Sequence, residues 1–183
     1  MPAAQPHTQP SSPPFVVTRT FEAPRALVWQ AFTQAERLKS WWGPKGFPIA
    51  RGQIDLRPGG SYHYAMQVPD GSLMWAKCVY REIAAPERIV FINCFCSESG
   101  VLERNPMVPG WPMEVLSVFS FVEQGGRTAF TLEWTPLGAR KEECELFDSF
   151  REGMAIGWEG TFEQLDAYLA TAAVESGVLA TVG

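Results

Sequence analysis

The sequence predicts an α+β domain in which a curved antiparallel sheet of about seven strands wraps a long C-terminal helix, with two short helices between the first and second strands. Two observations carry this prediction. Between Ala139 and Ala170, the residues Phe147, Phe150, Met154, Trp158, Phe162, Leu165 and Leu169 recur at three- and four-residue spacing. That is the apolar stripe of one amphipathic helix of about eight turns, roughly 45 Å long. Upstream, apolar and polar residues alternate with the period of strands, and turn sequences separate the runs. A helix face this wide is buried only on or inside the sheet, and the space between them is either filled or left as a pocket.

The elements follow in order. Residues 1–14 hold five of the fifteen prolines and no large apolar side chain apart from Met1, so a disordered tail is expected there. Phe15–Phe21 reads as a β-branched and aromatic first strand. Pro24 suits a first helical turn, and Leu27, Val28, Ala31 and Phe32 give the helix after it one apolar face. A second short helical turn covers Ala35–Lys39, and Trp41-Trp42-Gly43-Pro44 closes the segment.

Strands are then expected over Gly46–Leu56, Ser61–Val68, Leu73–Ile83 and Arg88–Cys96. The turns between them are Arg57-Pro58-Gly59-Gly60, Pro69-Asp70-Gly71-Ser72 and Ala85-Pro86-Glu87. Residues 97–112 form a polar loop rich in Pro and Gly, of a length tied to function or disorder. Met113–Glu123 and Thr128–Thr135 make the last hairpin, in which Phe130, Leu132 and Trp134 alternate with polar neighbours. Acidic Glu142, Glu143 and Glu145 fall in the first turns of the long helix, where its dipole favours them. The domain therefore spans 15–171, and 172–183 is read as a C-terminal tail.

Composition narrows the function classes. The net charge is −5 with no basic run, which gives nucleic-acid binding no electrostatic support. No apolar run approaches the roughly 20 residues of a membrane span. The N-terminus lacks the basic and apolar regions of a signal peptide, so a cytoplasmic location is expected. Cys78, Cys94, Cys96 and Cys144 form no C-x-x-C pair and read as buried thiols. Seven Trp and twelve Phe fit either an aromatic core or a lined cavity.

Catalytic chemistry finds little purchase. His7 lies in the tail, and His63 points away from Tyr62 and Tyr64 on its strand. No metal-ligand spacing, nucleophile elbow or phosphate loop is present, so neither metal nor cofactor is expected. Carboxylates at strand positions, Asp55, Glu82 and Glu114, are the remaining acid–base candidates, and Glu114 is the weak catalytic candidate because it follows Trp111-Pro112. Gly153, Gly157 and Gly160 each cost about 1 kcal/mol relative to Ala in a helix. Close approach of the helix to the sheet explains them, or clearance for a ligand.

The motifs Phe21-Glu22-Ala23-Pro24-Arg25 with Val28-Trp29, and Trp41-Trp42-Gly43-Pro44 with Gly46-Phe47, form a set with four others. Those are Asp55-Leu56-Arg57-Pro58-Gly59-Gly60, Pro69-Asp70-Gly71, Pro86-Glu87-Arg88-Ile89-Val90-Phe91 and Gly157-Trp158. Over residues 15–171 the chain resembles the helix-grip fold of the START-like, or SRPBCC, superfamily, in the branch named for the activator of the heat-shock protein 90 ATPase. The resemblance implies a cavity between sheet and long helix that holds an apolar ligand in many relatives. It also marks Cys78 as a departure from a small Gly, which narrows any pocket there.

The expected lining comes from three regions. The strands offer Tyr62, Tyr64, Met66, Trp75, Phe91, Met113, Phe130 and Trp134. The long loop offers Met107 and Trp111 as a lid over the cavity mouth, and the helix offers Phe150, Met154 and Trp158. Binding of a small hydrophobic or amphipathic molecule is the function expected first. An enzyme of cyclase, dehydratase or hydrolase type, using a cavity carboxylate or Tyr, comes second. A chaperone ATPase cofactor comes third. Leu116, Val118 and Val122 lie opposite Phe119 and Phe121 on their strand, so both faces are apolar and a homodimer is expected to cover one.

Overall fold

The structure is a computed structural model that describes residues 13–175. The expected tail, residues 1–14, thus falls almost wholly outside the described residues, as does 176–183. One antiparallel sheet runs through the domain in the order β1-β8-β7-β5-β4-β3-β2. Its strands are β1 (Phe15–Phe21), β2 (Ile49–Ile54), β3 (Ser61–Gln67), β4 (Leu73–Ala84), β5 (Arg88–Cys96), β7 (Glu114–Gln124) and β8 (Arg127–Leu137). An eighth strand, β6 (Leu102–Glu103), raises the expected count by one. It pairs with Phe95 and Cys96 of β5, beyond the point where β7 leaves that strand at Asn93.

Helices α1 (Arg25–Thr33) and α2 (Ala35–Trp41) fill the β1–β2 connection. The four apolar positions read from the α1 spacing, Leu27, Val28, Ala31 and Phe32, are all buried. Gln34 takes an extended conformation between the two helices, and its N–H still closes on Gln30 O. The indole of Trp41 donates to Ala31 O at 3.1 Å, locking α2 against α1.

The C-terminal helix departs from the expectation of one continuous rod. It is two helices, α3 (Lys141–Ser149) and α4 (Arg151–Glu175), separated at Phe150. Phe150 N bonds to Phe147 O at 3.1 Å, one residue tighter than an α-helical turn, and its ψ of 1° carries the chain out of register. Helix α4 also runs past the expected boundary at 171: residues 172–175 belong to it, and Ala172 and Ala173 are buried. The stripe Met154, Trp158, Phe162, Leu165 and Leu169 is buried against the concave face of the sheet.

The core is an aromatic cluster at one end of that interface. Phe130 is fully buried with the rings of Phe32, Phe119, Phe121, Phe162 and Phe21 at 5.0, 5.2, 5.2, 5.7 and 5.9 Å. Polar contacts then fix α4 on its neighbours. Arg19 of β1 pairs with Glu159 at 2.7 Å and with Asp166, while Arg37 of α2 donates to the Tyr168 hydroxyl at 2.7 Å.

Candidate ligand-binding site

Beyond the aromatic cluster, sheet and helix part, leaving a cavity of about 430 Å³. The inward alternation of the strands supplies Tyr64 and Met66 from β3, Met74 and Ala76 from β4, Asn93 and Phe95 from β5, and Trp134 from β8. Helix α4 adds Met154, Gly157, Trp158 and Thr161 at one-turn spacing. The segment after α2 closes one side with Trp42, Gly43, Pro44 and Phe47, and the long loop closes another with Asn105 and Met107.

Local chemistry holds these walls. Gly43 has φ +100°, a left-handed turn that a side chain would strain, and it presents its carbonyl to α4. There it accepts from Thr161 Oγ1 at 3.2 Å and from Gln164 Nε2 at 2.8 Å. In the loop, Asn105 Oδ1 accepts from Met107 N at 2.9 Å and Val108 N at 3.1 Å, a side-chain turn that sets Met107 at the mouth. Met107 is 63% exposed there. A Cβ at Gly153 or Gly157 would meet nothing within 4 Å, and one at Gly160 would touch only the Lys45 side chain at 3.8 Å, so none of the three marks close packing on the sheet, and Gly157 alone borders the cavity.

The loop is anchored to α3 through Glu143. Its carboxylate accepts from Arg140 N and Nη2, each at 2.9 Å, and from Arg104 Nη1 at 3.0 Å. Arg104 also reaches Pro109 O at 3.3 Å. These bonds, Arg140 first, hold the Glu143 carboxyl down at about 2, below its ordinary 4.5. A depressed carboxylate stabilises the fold above its unfolded value and loses that contribution as pH falls through the folded one. Solvent reaches both arginines, which are 46% and 66% exposed, and screens the pairs. Glu143→Gln is therefore expected to cost about 2 kcal/mol at pH 7. Melting curves from pH 7 down to 2 should show the gap between parent and variant narrow only below about pH 4.5. A gap that stays constant to pH 2 would contradict the assignment.

Among the described residues, no charged side chain lines the cavity. Burial pushes the Tyr64 phenol well above its ordinary 10, so it remains neutral and acts only through hydrogen bonds. The carboxylate candidates lie elsewhere. Asp55 and Glu82 are exposed and ion-paired with Arg57 and Arg88 at 3.0 and 3.3 Å. Glu114 opens β7 on the side opposite Val115, which is buried against an adjoining recess. Burial also raises the thiols, Cys94 to about 11 and Cys78 well above its ordinary value, which suits packing and not nucleophilic attack.

Six of the residues expected to line a pocket stand on its wall: Tyr64, Met66, Met107, Trp134, Met154 and Trp158. The others do not. Trp111 lines the adjoining recess of about 200 Å³ and packs on Phe147 at 5.1 Å, so it anchors the loop instead of covering the mouth. Tyr62 and Phe91 face inward at a deeper level, where Cys78, Tyr80 and Phe119 shrink the space to about 20 Å³. That is room for one water. Phe130 is core. Phe150 sits at the helix junction, 39% exposed, and Met113 is half-buried ahead of β7 and touches none of these spaces.

Trp75 is on the outer face, because Met74 and Ala76 take the inward positions of β4. Its ring lies 4.8 Å from His63 and 6.0 Å below the Arg51 guanidinium. Sequence reasoning missed Met74, Ala76, Asn93, Phe95, Asn105, Thr161 and the Trp42–Phe47 segment. Asn93 had a readable signal: it is the lone amide in the apolar run Arg88–Cys96, in phase with Ile89 and Phe91.

Comparison with known proteins adds to this geometry. The family model described as Activator of Hsp90 ATPase homolog 1-like protein matches residues 22–170. A crystal structure of a Mycobacterium smegmatis protein is 27% identical, covers 84% of this chain and 88% of its own, and superposes with a TM-score of 0.65. A solution structure of an Arthrobacter aurescens protein is 25% identical, with 86% of each chain covered and a TM-score of 0.71. A Nitrosomonas europaea protein shares the fold at 22% identity, a TM-score of 0.69, and coverage of 88% of this chain and 97% of its own. The search of curated proteins gives no match.

Proposed function

This chain belongs to the family of activator of Hsp90 ATPase homolog 1-like proteins, and from that premise we propose that it binds one small apolar or amphipathic molecule between the sheet and α4. The observation that carries the reading is the cavity itself, about 430 Å³ with a methionine- and aromatic-rich wall and, among the described residues, no charged group on it. That volume lies within the range of small-molecule sites. Four methionines on the wall, Met66, Met74, Met107 and Met154, suit ligands of varied shape. A carboxylate-driven cyclase or hydrolase is the weaker reading, since Asp55, Glu82 and Glu114 all lie off the wall.

A second copy of the chain on the outer face belongs to the same proposal. There Val79, Leu116 and Val118 are half-buried beside the already buried Val90 and Ile92, and Val122 is 54% exposed. Dimer in light scattering at high micromolar concentration is the expected result, and monomer alone would contradict it. A cytoplasmic setting fits cysteines of which none is in a disulfide.

Native mass spectrometry of protein purified from its own host tests the binding reading. A retained neutral mass of a few hundred daltons at one per chain is expected. Protein that carries no such mass, and that takes up no added apolar dye, would overturn it.

A further inference from the structure

Burying a polar group without a partner costs about 1–3 kcal/mol, so native folds keep few of them. Two such groups meet on the concave face beside the cavity. The Trp134 indole Nε1 is buried with no hydrogen-bond partner in the protein, and so is the Ser117 hydroxyl. The two residues are direct cross-strand partners between β8 and β7. Ser117 is fully buried between Trp134 and Phe91, its partner on β5. Two residues further along β5, on the same face, stands Asn93.

Asn93 and Trp134 line both the cavity and the adjoining recess, so they mark the place where the two spaces join. The remaining wall there is Phe95 and Asn105, and the carbonyl of the Asn105 amide is already occupied by Met107 and Val108. Indole N–H, primary amide and hydroxyl groups can all donate, and the indole can do nothing else. Among the described residues, neither space is lined by a cation that could neutralise an anion. Bringing a carboxylate here would strip its hydration without an ion pair to replace it.

Resting on the reading of the cavity as an apolar-ligand site, we propose that Trp134 and Asn93, backed by the buried Ser117, form a polar subsite selecting neutral ligands that carry a hydrogen-bond acceptor. Ketones, esters, amides and ethers on an apolar body are the class that fits. Fatty-acid-like anions are excluded by the uncharged wall, and pure hydrocarbons leave the donors unanswered. The specificity-determining group is the Trp134 N–H, with the Asn93 amide beside it.

Three naphthalenes of similar size test this by displacing Nile red, whose own affinity is first measured for each protein. They are 2-acetonaphthone, 2-ethylnaphthalene and 2-naphthoate at pH 8. On the parent chain the ketone and the hydrocarbon displace the dye, and naphthoate does not. Trp134→Phe keeps an aromatic ring and removes the donor. It is expected to weaken the ketone about 3- to 10-fold, the worth of one hydrogen bond, and leave the hydrocarbon unchanged. Asn93→Leu gives an independent readout with the same expected pattern, should the Trp134 variant misfold.

If both variants leave the ketone-to-hydrocarbon ratio unchanged, or naphthoate binds as well as the ketone, the subsite is overturned while the cavity reading stands. If neither neutral compound displaces Nile red from the parent chain, the subsite fails together with the cavity.

Discussion

Phe130→Ala is expected to lower the free energy of unfolding by about 3–5 kcal/mol, measured by urea denaturation. The ring is fully buried on β8, with five aromatic neighbours contributed by β1, α1, β7 and α4. Removing it takes away the transfer free energy of a benzyl group and opens a hole that several stiff rings cannot all collapse to fill. A domain of this size has a total stability of about 5–15 kcal/mol, so the variant would stand near the edge of folding. Loss of less than about 1 kcal/mol would mean that these rings are loosely packed and that the core lies elsewhere.

Met154→Trp makes the opposite expectation one stretch further along the same interface. Met154 is nearly buried, yet it borders the open cavity together with Gly157, Trp158 and Thr161 on α4. An indole there has space to enter, so stability should change by less than about 1 kcal/mol. Binding of Nile red should fall below detection because the ring occupies the volume that the dye needs. In a close-packed interface the same substitution would cost about 1–3 kcal/mol from overpacking. Destabilisation of that size, without dye binding to the parent chain, would show the α4 face to be ordinary core. The pair of variants thus separates the packed end of the interface from the open end.

Most of the architecture was legible because it rests on periodicity. The α1 face follows from residue spacing, the limits of β5 from an apolar run after the Ala85-Pro86-Glu87 turn, and Tyr64 and Met66 from alternation on β3. What periodicity reports is which side a residue faces, and several errors come from what it omits. It does not report depth along the strand: Tyr62 and Phe91 face inward, but at a level where Cys78, Tyr80 and Phe119 fill the space. It does not report backbone continuity either. The stripe passes from Phe147 through Phe150 to Met154 without losing phase, although the chain leaves the helix at Phe150.

Size misled where register decides. On β4 the inward positions are held by Met74, Ala76, Cys78 and Tyr80, so the larger Trp75 takes the outer face under Arg51. The polar side of the site was the least legible part. Asn93 is the lone amide of an apolar strand and Ser117 one of two serines in β7, and only the pairing of β5 with β7 and of β7 with β8 brings them beside Trp134.

The central claim is that the space between sheet and α4 takes up an apolar molecule. Methionine methyl resonances, recorded by NMR during a Nile red titration, test it most directly. The chain has six methionines; Met66, Met74, Met107 and Met154 line the cavity, while Met113 lies outside it and Met1 falls outside the described residues. The account predicts that the four cavity methyls shift together and saturate at one dye per chain, with Met113 unmoved. Saturable dye binding that leaves Met66 and Met154 in place would contradict it.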